Sequence, residues 1–208
     1  MEFQFFGANC IRVNTKKTVI VIDDTIADFG LKSVVRPGDV AVYTTAHGLA
    51  GADVKLVVDQ PGEYEVADIS VQGIAARAHI DEPGQKNAVI YKIMIDDTRI
   101  AVLGNIFPEL SGSQLEAIGM VDVLFVPVGG NGYSIDGVGA LKLIKDIEPK
   151  IVIPTHYHDP AIKYPVPQRT LDEALKEIGI EPTQRVAKLK LKPGEVFDTM
   201  QLIVLERQ

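Results

Sequence analysis

The chain has 208 residues, long enough to bury a sizeable core without disulfide or metal staples. Hydrophobic residues at 46% and charged residues at 24% are those of an ordinary globular protein, and 21 basic against 28 acidic side chains give a net charge of -7, which argues against a broad nucleic-acid footprint. One cysteine, Cys10, excludes a disulfide framework and a Cys-rich zinc site. MEFQFFGANC lacks the basic start and apolar stretch of a signal peptide, and no run is long enough to span a membrane, so cytoplasm is the default expectation.

In chain order, the first half reads as strands. FQFFG, CIRV, TVIVID, VAVYTT, KLVVD, ISVQGIAA, AVIYKIMI and RIAVLG are short, rich in Val and Ile, and punctuated by Gly, Pro, Asp and Asn. Asp96-Asp97 between two such runs predicts a tight hairpin. Helical patterns follow: SGSQLEAIG starts on Ser111 and stops at Gly119, DGVGALKLIKDI opens on an acidic cap at Asp136, and TLDEALKEIG carries a Thr170/Glu173 capping box and ends at Gly179. VDVLFVPVGG, the second helix and KIVIPTH form a strand, helix, strand series, which predicts a crossover, while the earlier hairpins predict antiparallel sheet. The class is α+β, read as one domain over residues 1–208.

All four histidines fall at or just past the ends of these strands. His47 closes DVAVYTTAH, His79 closes ISVQGIAARAH, and His156 and His158 close KIVIPTHYH. Polar residues gathered at strand ends are how a sheet fold assembles a metal or catalytic site from remote segments, and imidazole is the commonest metal ligand. Chance placement of four histidines is the alternative.

Over about positions 1 to 160 the chain resembles the metallo-β-lactamase fold superfamily, in the β-lactamase-like or UlaG-like branch of zinc-dependent hydrolases. GANCIRV with TVIVIDD, DVAVYTTAH, VVDQPGEYEVADISVQGI, KNAVIYKIMIDDTRIAVLGN, VDVLFVPVGG and DGVGALKLIKDIEPKIVIPTHYHD carry the resemblance through their order and spacing. It implies a four-layer αβ/βα sandwich with the site in a cleft at one edge of the two sheets. Active members carry His-x-His-x-Asp-His after the strand that here is DVAVYTT; this chain has Thr45-Ala46-His47-Gly48-Leu49-Ala50. His79 and His156 match two further family histidines, and Asn105 stands where the family has a metal-bridging aspartate. The resemblance therefore implies that His47, His79, Asn105 and His156 converge on one cavity, with Thr45, Leu49, Ala50, Tyr157 and His158 lining it.

Chemistry limits what such a pocket does. A neutral Asn105 amide is a poor zinc ligand, and Leu49 cannot orient water. The loss of anionic ligands removes most of the attraction for a second dication. Zinc is expected at one ion at most, from His47, His79 and His156.

Other residues read more simply. His158 is a solvated loop histidine, Asp136 a helix cap, Cys10 an inert core thiol, and Asp23 and Asp24 either support the first metal loop or form a turn. The glycines of VPVGGNGYS fit a strand-to-helix turn better than a phosphate cradle. The chain after Pro160 matches the family only loosely. Two functions remain open: a hydrolase with a reduced metal site acting on a small molecule, or a non-catalytic module that binds a small molecule or a protein, with no nucleic-acid or membrane partner.

Overall fold

The structure, a computed structural model, describes residues 1–45, 53–192, 197 and 199–208. Alternation of half-buried and buried residues in EFQFFG produces β1 (Glu2–Gly7), which a turn at Ala8 and Asn9 returns as β2 (Cys10–Asn14) and then β3 (Val19–Ile22). β4 (Val40–Val42) and β5 (Leu56–Val58) add to β3 in parallel, and β13 (Leu189–Lys190) closes the other edge, giving a sheet in the order β13-β1-β2-β3-β4-β5.

The second sheet begins as an antiparallel meander of β6 (Gly62–Val66), β7 (Ile69–Ala76), β8 (Ala88–Ile95) and β9 (Thr98–Val102). The β8–β9 turn is the expected two-residue hairpin, with Ile95 facing Thr98 and Asp96 at φ 51. From β9 onward it is parallel: β10 (Val123–Pro127), β11 (Ile151–Thr155), β14 (Gln201–Leu205) and the edge strand β12 (Gln184–Val186). The β10 to β11 connection is the expected crossover, through α2 (Gly137–Ile147).

Helix ends are where the sequence put them. α1 (Gly112–Ile118) has a capping box of Ser111 and Gln114, α2 is capped by Asp136 through Gly139 N at 2.8 Å, and α3 (Leu171–Ile178) has the Thr170/Glu173 capping box. Each such cap is worth about 1 kcal/mol. Among the described residues no helix is long and apolar enough to cross a membrane.

The main core lies between the two sheets, where Phe3 of β1 meets Phe125 of β10 at a centroid distance of 5.6 Å and Tyr91, Ile93 and Ile153 are fully buried. Burial of side chains of this size contributes about 1.5–3 kcal/mol each. A second core fills the space between the eight-stranded sheet and the helices, with Leu124, Leu143, Ile144 and Leu175. The outer face of the six-stranded sheet is covered, among the described residues, by the 3-10 turn Ile26–Phe29 and the chain through Val35, around Cys10 and Val21. Cys10 is buried and its thiol is pushed up chiefly by that burial, as expected of a core thiol.

Candidate functional site

Strand ends from both sheets meet around a cavity of about 270 Å3. Its wall includes Ala8 and Asn9 from the β1–β2 turn, Asp23 after β3, Thr44 and Thr45 after β4, Asn105 after β9, Tyr133 after β10 and His156 after β11. The two sheets approach so closely here that a β-carbon on Gly104, itself at φ +60, would run into the Thr44 side chain. Of the eight non-glycine residues with positive φ among the described residues, Ala8, Asp23 and His156 are on this wall. Such conformations cost about 1–3 kcal/mol each and persist where surrounding contacts hold them, a common property of binding sites.

Asp23 and Asp24 divide the roles foreseen for them. Asp23 accepts from Thr44 N and Thr44 Oγ1, both at 2.7 Å, and so pins the residue just before the segment that carries His47. Asp24 accepts from Ser33 Oγ, Val34 N and Val35 N and shapes the turn over the first sheet. Among the described residues no salt-bridge partner relieves Asp23; burial raises its pKa to about 6, against the lowering effect of the Thr44 hydrogen bonds.

Asn105 lines the cavity as expected, with its amide already engaged. Asn9 Nδ2 donates to Asn105 Oδ1 at 3.0 Å, and Thr155 Oγ1 donates to Asn9 Oδ1 at 2.8 Å. This chain of neutral groups occupies the position that the resemblance gives to a bridging carboxylate.

His156 is buried, with its backbone N donating to Ala8 O at 2.7 Å and its ring 5.8 Å from Tyr133 and 5.1 Å from Tyr164. Gln168 Nε2 is committed to Val166 O at 2.7 Å, which turns Gln168 Oε1 toward His156 Nδ1 at 3.2 Å. An acceptor at that position assigns the proton to Nδ1 and leaves Nε2 as a lone pair, without a hydrogen-bond partner among the described residues. Burial lowers the imidazole pKa to about 4, so the ring is neutral at neutral pH.

The remaining expected residues are distributed less simply. His47, Leu49 and Ala50 lie outside the described residues. His79 touches the site through its backbone N, which donates to Asn105 O at 2.8 Å, while its ring packs 5.9 Å from Phe107 and its Nδ1 is buried with no partner among the described residues. It is not on the cavity wall, and neither are Tyr157 and His158. Tyr157 packs against Phe5 and donates its hydroxyl to Leu205 O at 3.4 Å, because β11 ends at Thr155 and the left-handed conformation of His156 (φ 53) turns the chain. His158 is exposed, its backbone N bonded to Arg169 O.

Asn9, Tyr133 and Gln168 were not foreseen. Asn9 and Tyr133 sit in glycine-containing turns, a signal that could have directed attention to them. Gln168 and Tyr164 belong to the chain after Pro160, whose weak family match concealed that it packs on His156.

Among the described residues no three His, Cys, Asp or Glu side chains come together as a metal-ligand group. At the bridging position stands a neutral amide whose Oδ1 already accepts from Asn9, so the described residues do not fit a dinuclear centre. A larger groove of about 550 Å3 is bordered by Leu141, Ile144, Ile180 and Met200 together with Lys145, Glu148 and Lys150.

Comparison with known proteins places this architecture. A UPF0173 protein of Pyrococcus abyssi is 23% identical over 186 residues, covering 76% of this chain and 83% of its own. A Thermotoga maritima structure classed with the Zn-dependent hydrolases of the metallo-β-lactamase superfamily superposes with a TM-score of 0.79 at 22% identity, covering 99% of this chain and 98% of the other. A metallo hydrolase of Ignicoccus hospitalis gives a TM-score of 0.58 at 17% identity, over 86% of this chain and 90% of the other. The description "Beta-lactamase superfamily domain" matches residues 2–156, and the chain belongs to that family, with the metallo-β-lactamase fold.

Proposed function

We propose that this chain is a metallo-β-lactamase-fold protein of hydrolase ancestry whose dinuclear metal centre has given way to a hydrogen-bonding pocket without a bridging carboxylate, so that it binds a small molecule rather than acting as a dinuclear hydrolase. The Asn105–Asn9–Thr155 chain carries this reading. A carboxylate in place of Asn105 would hold two dications together and offset their charge; an amide oxygen already bonded to Asn9 does neither. Thr45, Leu49 and Ala50 in place of the family's polar triplet support the same conclusion.

One observation favours a second reading, a single zinc ion. The buried His79 Nδ1 is unpaired among the described residues, at a cost of about 1–3 kcal/mol that a ligand bond would offset. His47 and His156, with the His79 ring turned from Phe107 toward the cavity, would then hold the ion, which would supply an activated water. Elemental analysis of protein purified without chelator separates the readings. Zinc well below one equivalent supports the metal-free pocket, one equivalent abolished by His79→Ala supports the single ion, and two tightly held equivalents would overturn both.

A further inference from the structure

Resting on the reading of a pocket without two dications, we infer that the cavity selects a small organic ammonium ion, held by Asp23 and Asp28 and by the Nε2 lone pair of His156. Two carboxylates are on the wall, and among the described residues lining it there is no Lys or Arg. Asp23 is 4% exposed, and each of its oxygens, with one bond to Thr44, keeps a second lone pair for a ligand.

His156 provides the independent indication. Its side chain is 2% exposed, its Nδ1 is committed to Gln168, and its remaining nitrogen is an acceptor with no donor among the described residues. A buried acceptor beside a cavity calls for a ligand that brings N–H groups. Phe29 and Tyr133 add aromatic faces, which attract cations and not anions. The lift that burial gives to Asp23 has the same sense: among the described residues the carboxylate has no positive partner, and an ammonium ion would provide one. At about 30 Å3 per water-sized group, the cavity has room for about nine such groups. Anionic substrates of metal-loaded pockets would meet only negative charge here.

The test uses three probes of matched size on the full chain: ethanolamine as its ammonium ion, neutral ethylene glycol and anionic glycolate. Each is titrated into isotopically labelled protein at neutral pH with amide and imidazole shifts as the readout, and zinc binding is measured in parallel. Ethanolamine should bind in about the millimolar range expected of so small a ligand. Its shifts should concentrate at Asn9, Asp23, Asn105 and His156, while the glycol and glycolate leave those signals in place. Asp23→Asn, which can keep both Thr44 bonds, should weaken ethanolamine about tenfold or more, the worth of a hydrogen bond to a charged group. Asp28→Asn, at an exposed position where folding is not at stake, should weaken it about twofold to fivefold. Equal binding of glycol and ethanolamine, or unchanged ethanolamine binding in Asp28→Asn and in a folded Asp23→Asn, would overturn the inference. If zinc does not bind and ethanolamine also leaves the cavity signals unmoved, the inference fails while the pocket reading stands. Two equivalents of tightly bound zinc would overturn the reading beneath it and the inference with it.

Discussion

Gln168→Leu is the most direct test of how the site is built. Gln168 is 6% exposed, and its Oε1 is the acceptor for His156 Nδ1 and, at 3.2 Å, for Ser134 Oγ. Leucine has a similar volume and no acceptor. Ser134 keeps a partner for both roles, because Gly130 N still donates to its hydroxyl at 3.0 Å and its own O–H can turn to Ile135 O at 3.5 Å, and half-buried Val166 O can turn to water. The loss therefore falls on His156, whose buried Nδ1–H would have no acceptor, at about 1–3 kcal/mol. A central value of about 2 kcal/mol lowers the melting temperature by about 4–8 °C in a domain of this size. Calorimetry measures that shift, and long-range proton–nitrogen spectra of labelled imidazole report the tautomer. The parent should show Nδ1–H, the leucine variant should shift toward Nε2–H, and Gln168→Glu should restore Nδ1–H by supplying an acceptor. An unchanged melting temperature with an unchanged tautomer in Gln168→Leu would show that Gln168 does not order the ring.

Stability against pH should show two opposed contributions. His156, lowered by burial from 6.5 to about 4, takes up its proton more readily when unfolded, so it costs stability as pH falls from about 6.5 to about 4. Asp23, raised by burial from 3.8 to about 6, takes up its proton more readily when folded and adds stability as pH falls from about 6 to about 3.8. At about 1.4 kcal/mol per unit each contribution is about 3 kcal/mol, so they nearly cancel in the parent. In denaturant titrations His156→Gln should gain stability on acidification relative to the parent and Asp23→Asn should lose it; slopes of the same sign would refute the assignment. Replacing Thr45→His, Leu49→Asp, Ala50→His and Asn105→Asp together should raise zinc uptake far more than the sum of the single changes, because several ligands act on one ion. A folded quadruple variant that binds no more zinc than the parent would show that the pocket has lost metal geometry altogether.

Local physics made much of the fold legible. Alternation in EFQFFG, the Asp96 turn and the caps at Ser111, Asp136 and Thr170 are decided within a few residues, and each is found where the sequence places it. β12 and β13 were not legible, since these two- and three-residue edge strands exist only by pairing with β14 and β1, far away in the chain. The site shows the same division. Thr45, Asn105 and His156 could be placed because a strand leads into each. Gln168 could not, because nothing in KYPVPQ marks its contact with a ring that a neighbouring strand delivers. Alternation also fails at His156-Tyr157-His158, where φ 53 at His156 ends the strand geometry on which it depends.

The residues that differ from the family motif form a physically consistent set. A pocket that kept the family's aspartates and lost its dications would bury like charges without compensation, a cost that either protonates them or unfolds the site. On the proposed reading Asn105 removes one such charge, and Asn9, held in turn by Thr155, donates to the oxygen of the amide that takes the carboxylate's place. Asp23 is the carboxylate that stays buried on this wall, and the two Thr44 donors that support it also fix the end of β4. The positive-φ turns at Ala8, Asp23 and His156 and the close approach at Gly104 shape this cleft through the backbone. On the proposed reading such a cavity suits a ligand other than a dication, and its acceptors, Asp23 and the His156 lone pair, call for one that brings the protons.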